Sequence, residues 1–387
     1  MVEAQYDRNY HIQGGVTMTS IAYIGIDVHT TNYTLCAFTL EGQKVFGQTS
    51  INPDMSELLK YLSAIQLRLG SDYKLICGYE AGCLGYTLYH QLTYHKYQCV
   101  ILAPTTMPST PKEIKTDKRD ALKIAKCLAY GTYSSVYVPS NQDNAVKEFI
   151  RMRDDAQTLL KQTKQQINAI CLRHGYIYAG KSSWTSAHLK WLRSIHLDNP
   201  ILQETLSEYL ATYQQLADKV ERLDRRIEEF AQMDAYRERV NQLMCFKGVK
   251  THTALSFLVE IGDFQRFPTA GQFASFLGLV PGEHSSGDSR HQGGITKAGN
   301  SHLRKLLSES ANCYSRVRVG KKSADLKKRQ SGNTPEVIAY ADKANDRLRR
   351  KYVRICTRSK ANIAKTAVAR ELACFIWGMM NGKLDSI

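Results

Sequence analysis

"IAYIGIDVHTTNYTLCAFTLEGQKVFGQTSI", residues 21 to 51, reads as three strands in succession. Residues 21–28, 33–40 and 43–51 are β-branched and aromatic runs separated by short polar turns, too closely spaced for helices. Connections that short join antiparallel neighbours. Downstream the rhythm changes. Residues 54–69 carry helical spacing, "YKLICGYE" (73–80) is a buried strand, and "CLGYTLYHQLTYH" (83–95) a helix. "YQCVIL" (97–102) is another strand and "KRDALKIAKCLAYG" (118–131) a helix ending at a glycine cap. A three-strand meander followed by αβαβα predicts an α/β domain over residues 18–144. Residues 1–17 are polar and patternless and read as a disordered leader, with Met18 just ahead of the first strand.

Residues 145–238 read as a helical spacer. Leu202, Leu206, Tyr209, Tyr213, Leu216, Val220, Leu223, Ile227 and Phe230 alternate by four and three, the spacing of a coiled-coil seam. An earlier stripe through Phe149, Leu160, Ile167 and Ile170 offers an intramolecular partner, so a hairpin and a dimerising coiled coil both stand. In the second case Leu216, Val220, Leu223 and Ile227 are the positions expected at an intermolecular seam. Residues 239–387 form a third, mostly helical part. It opens with Leu243, Phe246, Gly248, Val249 and Ala254 in a helix-hairpin-helix-like pattern, with Lys250 where a second glycine is usual.

At 387 residues, 43% hydrophobic and 23% charged, the chain has ample material for folded domains, which excludes general disorder. The formal charge is +16, from 52 Lys and Arg against 36 Asp and Glu. Residues 288–387 hold 22 of the bases and 8 of the acids, a net +14, so nearly all the excess lies in the last quarter. Such a patch fits a polyanion, nucleic acid first, because neutralising phosphates releases counterions. The ten cysteines include no CxxC pair and read as reduced thiols. No apolar run reaches the roughly 18–20 residues that span a bilayer, and no signal-peptide segment opens the chain. A soluble cytoplasmic protein, close to the nucleoid and with no membrane partner, is expected.

Four carboxylates stand out. Asp27 ends the first strand and Glu80 ends "LICGYE"; Asp117 and Asp120 are three apart at a helix start and share one face. Hard divalent cations take such oxygen ligands, and Mg²⁺ or Mn²⁺ held by carboxylates and substrate phosphates serves phosphoryl transfer. Each acid alone has an ordinary structural explanation, as turn residue, helix cap or ion-pair partner.

The segments "GIDVHTTNYTLCAF", "GYEAGCLGYTL" and "KTDKRDALKIAKCLAYG" resemble the DEDD, RuvC-like N-terminal domain of the insertion-sequence 110 family of transposases and the related Piv invertase. The stretch from "GVKTHTALSFLVEIGDF" through "PGEHSSGDSRHQGGITKAGNSHLRKLLSESA" is similar to that family's C-terminal transposase domain. The resemblance implies a ribonuclease H-like first domain, a metal site at Asp27, Glu80, Asp117 and Asp120, and a serine nucleophile. It also implies donor and target DNA as substrates and a structured non-coding bridge RNA as guide, with the working unit a dimer or tetramer.

A serine that attacks a phosphodiester needs room for DNA and cations nearby. "HSSGDSRHQGGITK" (284–297) reads as an exposed, adaptable loop supplying both. The resemblance favours Ser286 as the nucleophile, because family members more often keep the serine directly before the glycine, and Gly287 also clears the approach; Ser285 is the alternate. Arg290, His291, Lys297 and Arg304 are candidate phosphate clamps. Lys247, Lys250, Lys305, Arg347, Arg350, Arg354, Arg358 and Lys360 complete the expected nucleic-acid surface. His284, His291 and His302 are irregularly spaced and read as loop and phosphate contacts. Two other functions compete: a metal-dependent junction nuclease using water, which needs the acids but no serine, and a non-catalytic nucleic-acid-binding protein.

Overall fold

A computed structural model describes residues 20–385 except 83, 105–106, 108–115 and 287–288; the side chains of 284–292 also lie outside the described set. The expected leader at 1–17 falls outside it as well. Contacts divide the chain into two compact units, residues 1–138 and 139–387.

In the first unit, β1 (Ser20–Val28), β2 (Tyr33–Thr39) and β3 (Lys44–Ile51) form the antiparallel meander. Then follow α1 (Met55–Leu69), β4 (Tyr73–Glu80), α2 (Thr87–Tyr94), β5 (Gln98–Leu102) and α3 (Asp117–Tyr130). The five-stranded sheet runs β3-β2-β1-β4-β5, with β1, β4 and β5 mutually parallel. Side chains alternate across a strand, so one face of the sheet presents Ala22, Ile24 and Ile26 of β1 with Cys77 and Tyr79 of β4. These pack on Leu58, Leu62 and Ile65 of α1 and Leu88 and Leu92 of α2, forming one core. The opposite face receives α3, whose Ile124, Cys127 and Leu128 pack beneath Tyr23, Val100 and Leu102. Asp54 starts α1 by accepting the Ser56 and Glu57 amides, and Thr116 starts α3 by accepting the Arg119 amide.

The second unit opens with α4 (Asn141–Arg173), α5 (Ser186–Ser194) and α6 (Pro200–Ala231). Helices α4 and α6 form an antiparallel hairpin: Ile167 and Ile170 share a core with Leu206 and Tyr213, while Val146 and Ile150 pack near Ile227 and Ala231 at the other end. Bidentate hydrogen bonds from Arg153 to Asp224, at 2.6 and 3.0 Å, tie the two helices toward the Val146 and Ile227 end. The heptad stripe is therefore met by the chain's own α4. Val220 and Ile227, expected to face another subunit, are buried inside this hairpin, whereas Leu216 and Leu223 are half-buried.

The remaining elements are α7 (Arg237–Leu243), α8 (Thr251–Ile261), α9 (Ala270–Phe276), β6 (Pro281–Ser286), β7 (Ser289–Ile295) and α10 (Ser301–Ala311). Helices α11 (Ala324–Gln330), α12 (Pro335–Cys356) and α13 (Ala361–Met380) end the unit. Their apolar faces, centred on Phe246, Phe257, Leu307, Leu348 and Ile376, form one core that also takes in the Val146 and Ile227 end of the helical hairpin. Trp377 is buried there and donates its indole N–H to the Phe267 carbonyl at 2.9 Å. The nine described cysteines are free thiols, and among the described residues no helix is long and apolar enough to cross a membrane.

The stretch expected as an adaptable loop is a β-hairpin. Strands β6 and β7 pair antiparallel, His284 opposite His291, Ser285 opposite Arg290 and Ser286 opposite Ser289, with an irregularity between Pro281 and Glu283. A sequence without apolar alternation still forms this ladder because backbone groups, not side chains, carry it.

Candidate active site

Asp27 is the last but one residue of β1 and points, with Gly25, to the face that α3 covers; Glu80 ends β4 on the same face. The parallel register pairs Gly25 with Gly78 and Ile26 with Tyr79, so its next step sets Asp27 beside Glu80, strands about 4.8 Å apart. Asp117 and Asp120 lie in the first turn of α3, where the positive end of the helix dipole favours carboxylates.

What brings α3 to these strand ends is the absence of a side chain. A Cβ on Gly25 would overlap the Ala121 carbonyl oxygen and lie 2.6 Å from the Ala125 nitrogen, so only glycine lets the helix backbone rest on β1.

Ligand atoms of Asp27, His29 and Asp117 fall within 4.8 Å of one another. His29 Nε2 is 3.2 Å from Asp27 Oδ2. Burial raises the Asp27 pKa; His29 opposes the shift, and the nearby charges of Asp120 and then Asp117 add to it. Three of the four expected acids therefore share one electrostatic site, and Glu80 adjoins it through the sheet register. His29 was absent from the expected set. A turn brings its ring back, the His29 amide donating to the Asn32 carbonyl at 3.0 Å, and such a turn has no periodic signature. The donor set of carboxylate oxygens with one imidazole, gathered at an accessible sheet edge, suits a hard divalent cation such as Mg²⁺ or Mn²⁺.

The expected basic residues divide by environment. Lys250, Lys297, Lys305, Arg347, Arg350, Arg354, Arg358 and Lys360 are exposed. Lys343, Arg347, Arg350 and Arg354, spaced by four, three and four, line a cleft of about 680 Å³ on α12 together with Asp346, Lys351 and Glu371. Arg347 donates to Glu371 at 2.7 Å, and Lys351 pairs with the same carboxylate at 2.6 Å. Lys247 departs from the expectation: it is 8% exposed, its amide donates to Asn345 Oδ1 at 2.8 Å, and its ammonium lies 3.5 Å from the Arg318 carbonyl. It is a residue of the domain interior. Arg304 is turned inward too, donating from Nη1 to the Leu277 and Ala298 carbonyls at 3.0 and 3.1 Å. The side chains of Ser285, Ser286, Arg290 and His291 lie outside the described residues.

Residues 24–175 match a DEDD-type IS110 transposase domain, and residues 240–327 match a domain described as transposase of the IS116/IS110/IS902 family. A putative transposase of Sinorhizobium fredii is 38% identical over 304 residues, 78% of this chain and 74% of the relative. The chain belongs to the IS110 family of transposases. Within the family it is also 30% identical to the transposase of insertion sequence IS1533 from Leptospira borgpetersenii, over 85% of this chain and 95% of that protein. The pilin gene-inverting protein of Moraxella lacunata is 26% identical over 74% of this chain and 81% of its own length. Family membership makes DNA transposition the activity, with DNA as substrate. The acids at the sheet edge fall inside the first matched domain and the β6–β7 hairpin inside the second.

Proposed function

We propose that this transposase cuts and rejoins DNA through a serine ester, with Ser286 as nucleophile and Ser285 as its alternate. In this reading the first unit is a ribonuclease H-like, RuvC-like domain, which the strand order β3-β2-β1-β4-β5 supports. Asp27, Glu80, Asp117 and Asp120 hold Mg²⁺ or Mn²⁺, with His29 beside them. A bound ion would supply charge stabilisation to the reacting phosphodiester. The observation that carries the reading is the approach of Asp27 and Asp117, on a strand end and a helix start, to within metal-ligand spacing.

The chain's own part follows from its chemistry. The serine oxygen bonds to phosphorus, the bond from phosphorus to the leaving strand oxygen breaks, the serine proton passes to solvent and the leaving oxygen takes one up. Attack by a strand hydroxyl on the serine ester reverses the exchange of bonds and frees the serine. Exposed Lys297 and Lys305, with Arg290, offer cations to the phosphate. The relative that inverts a pilin gene supports rejoining over cleavage alone. A guide RNA pairing with donor and target DNA rests on the resemblance and on the +16 charge, since reading a paired helix needs shape and backbone contacts. A dimer or tetramer in the cytoplasm would hold both duplexes.

The test is a covalent trap on the full chain, with labelled DNA spanning the ends of the surrounding element, RNA transcribed from its flank, and Mg²⁺. Ser286→Ala should abolish the protein-DNA adduct while nucleic-acid binding stays within about twofold, because charge dominates affinity. Ser285→Ala should keep measurable activity. Recombination by the double alanine variant would replace this reading with the water-using junction nuclease, and absence of any strand cleavage with a binding protein.

A further inference from the structure

Beside the base of the β6–β7 hairpin lies a network of half-buried charge that neither the acids of the first unit nor the basic surface explains. His302, in the first turn of α10, sits between two carboxylates: its Nε2 is 2.7 Å from Asp154 Oδ2 on α4, and its Nδ1 is 3.4 Å from Glu260 Oε1 on α8. Asp154 is also 2.9 Å from His252 Nε2 of α8 and accepts from Arg153 at 3.1 Å. Arg153 in turn reaches Asp224 of α6. Glu260, its side chain 5% exposed, accepts two hydrogen bonds from Arg151 at 2.9 and 3.1 Å and one from Asn300 Nδ2 at 2.9 Å. Asn300 is the cap of α10, its side chain accepting from the Leu303 amide.

The same helix start is welded to the hairpin. The Thr296 amide donates to Val280 O at 2.9 Å and the Lys297 amide to Gly278 O at 3.1 Å, closing the hairpin base. Arg304 staples both sides of that base through Leu277 and Ala298. Gly299 runs so close to the end of α9 that a Cβ there would overlap the Phe276 carbonyl oxygen. Ser285 and Ser286 are the last two residues of β6, joined to that base through the β6–β7 ladder.

We propose that His302, clamped between Asp154 and Glu260, is a positioning residue for strand exchange: it fixes the start of α10 and, through it, the base of the hairpin that presents Ser285 and Ser286. The proposal rests on the serine reading given above. It acts through the hairpin rather than on the DNA. The cleft at this point, about 590 Å³, is lined by Arg151, Asp154, Asp155, Ser301, His302 and Lys305, among others, so solvent protons reach the network.

Protonation supports the same role. Burial alone would lower the His302 pKa, but the hydrogen bond to Asp154 and the Glu260 carboxylate facing Nδ1 outweigh it and raise it to about 9. Burial pushes Glu260 up, and His302 and Arg151 outweigh that, holding it down at about 2; Asp154 is held well below the carboxylate range by His252 and His302 against burial. Lys147, whose charge faces Glu260, and Lys305, at the cleft mouth, are the remaining cations nearby. A histidine raised above its unfolded value of roughly 6.5 contributes fully below that pH and loses the contribution as pH rises through about 9.

The test uses the full chain in two measurements. Amide exchange over residues 281–295 should quicken by about tenfold or more in His302→Ala, which removes the charged hydrogen bond to Asp154, and in Glu260→Gln, which removes the carboxylate charge facing His302 Nδ1. Adduct formation with the element-end duplex should fall through about pH 9 in the wild type, and the falling limb should move lower by about one pH unit or more in Glu260→Gln. Unchanged hairpin exchange in a folded His302→Ala protein overturns the proposal, as does an unmoved limb in Glu260→Gln. If His302→Ala loses its cooperative melt, the Glu260→Gln limb decides alone. Continued recombination by the double serine-to-alanine variant sinks the serine reading instead, and the exchange measurement, which needs no DNA, separates the two failures.

Discussion

Gly25 sets the distance between the sheet and the helix that carries two of the acids. Its missing side chain lets the Ala121 to Ala125 backbone of α3 lie on β1, and a methyl group there has no flexible neighbour to displace, only main chain. Gly25→Ala should destabilise the first unit by roughly 1–3 kcal/mol, the usual cost of overpacking, and move Asp117 and Asp120 away from Asp27. Denaturant unfolding reads the first effect and Mn²⁺ titration the second. Metal affinity equal to wild type in a destabilised variant would detach the acids from the helix position. The places of the four acids in the fold were legible because sequence marks a strand end and a helix start. His29 was not, since it depends on a turn, and Lys247 misled because a residue type shows charge but not direction: its ammonium faces the Arg318 carbonyl. His302, read as a loop contact, needed two carboxylates from helices 148 and 42 residues away in sequence.

At the level of elements, the meander, the two parallel strands and their helices follow directly from hydrophobic periodicity, and the long helices from their stripes. The partner of α6 does not, because a heptad seam looks the same whether the facing helix belongs to the same chain or another. Here α4 takes Leu206, Tyr213, Val220 and Ile227. Val220→Asp should therefore cost at least about 3 kcal/mol by burying an unpaired charge between α4 and α6. Its melting midpoint should drop equally at every protein concentration. A drop that deepens on dilution would point to a seam between subunits, since mass action then sets stability. The β6–β7 hairpin was missed for a complementary reason: its sequence, with serines, histidines and glycines, lacks alternation, so only the backbone pairing reveals it.

For the whole molecule, charge is the property that sequence and structure share most directly. The net +14 of residues 288–387 emerges in part as a face of α12, opposite the buried Val337, Tyr340, Ala344, Leu348 and Tyr352. Arg350 and Arg354 are exposed on that face, while Arg347 is engaged by Glu371. If the face tracks a nucleic-acid backbone, removing two free cations removes two phosphate contacts, and each contact contributes roughly 0.9 to the slope of log affinity against log salt for duplex DNA. The Arg350→Ala, Arg354→Ala double variant should thus bind duplexes of unrelated sequence more weakly by the same factor, with a slope shallower by roughly 1.8. Arg347→Ala should change the slope less, because its guanidinium is already neutralised by a carboxylate that its loss would leave to Lys351. Fluorescence anisotropy across a salt series measures all three. A slope unchanged in the double variant would remove α12 from the nucleic-acid path and leave the charge of the last quarter to act through its other bases; a loss confined to one sequence would mean that these arginines read base edges, which phosphate contacts cannot do.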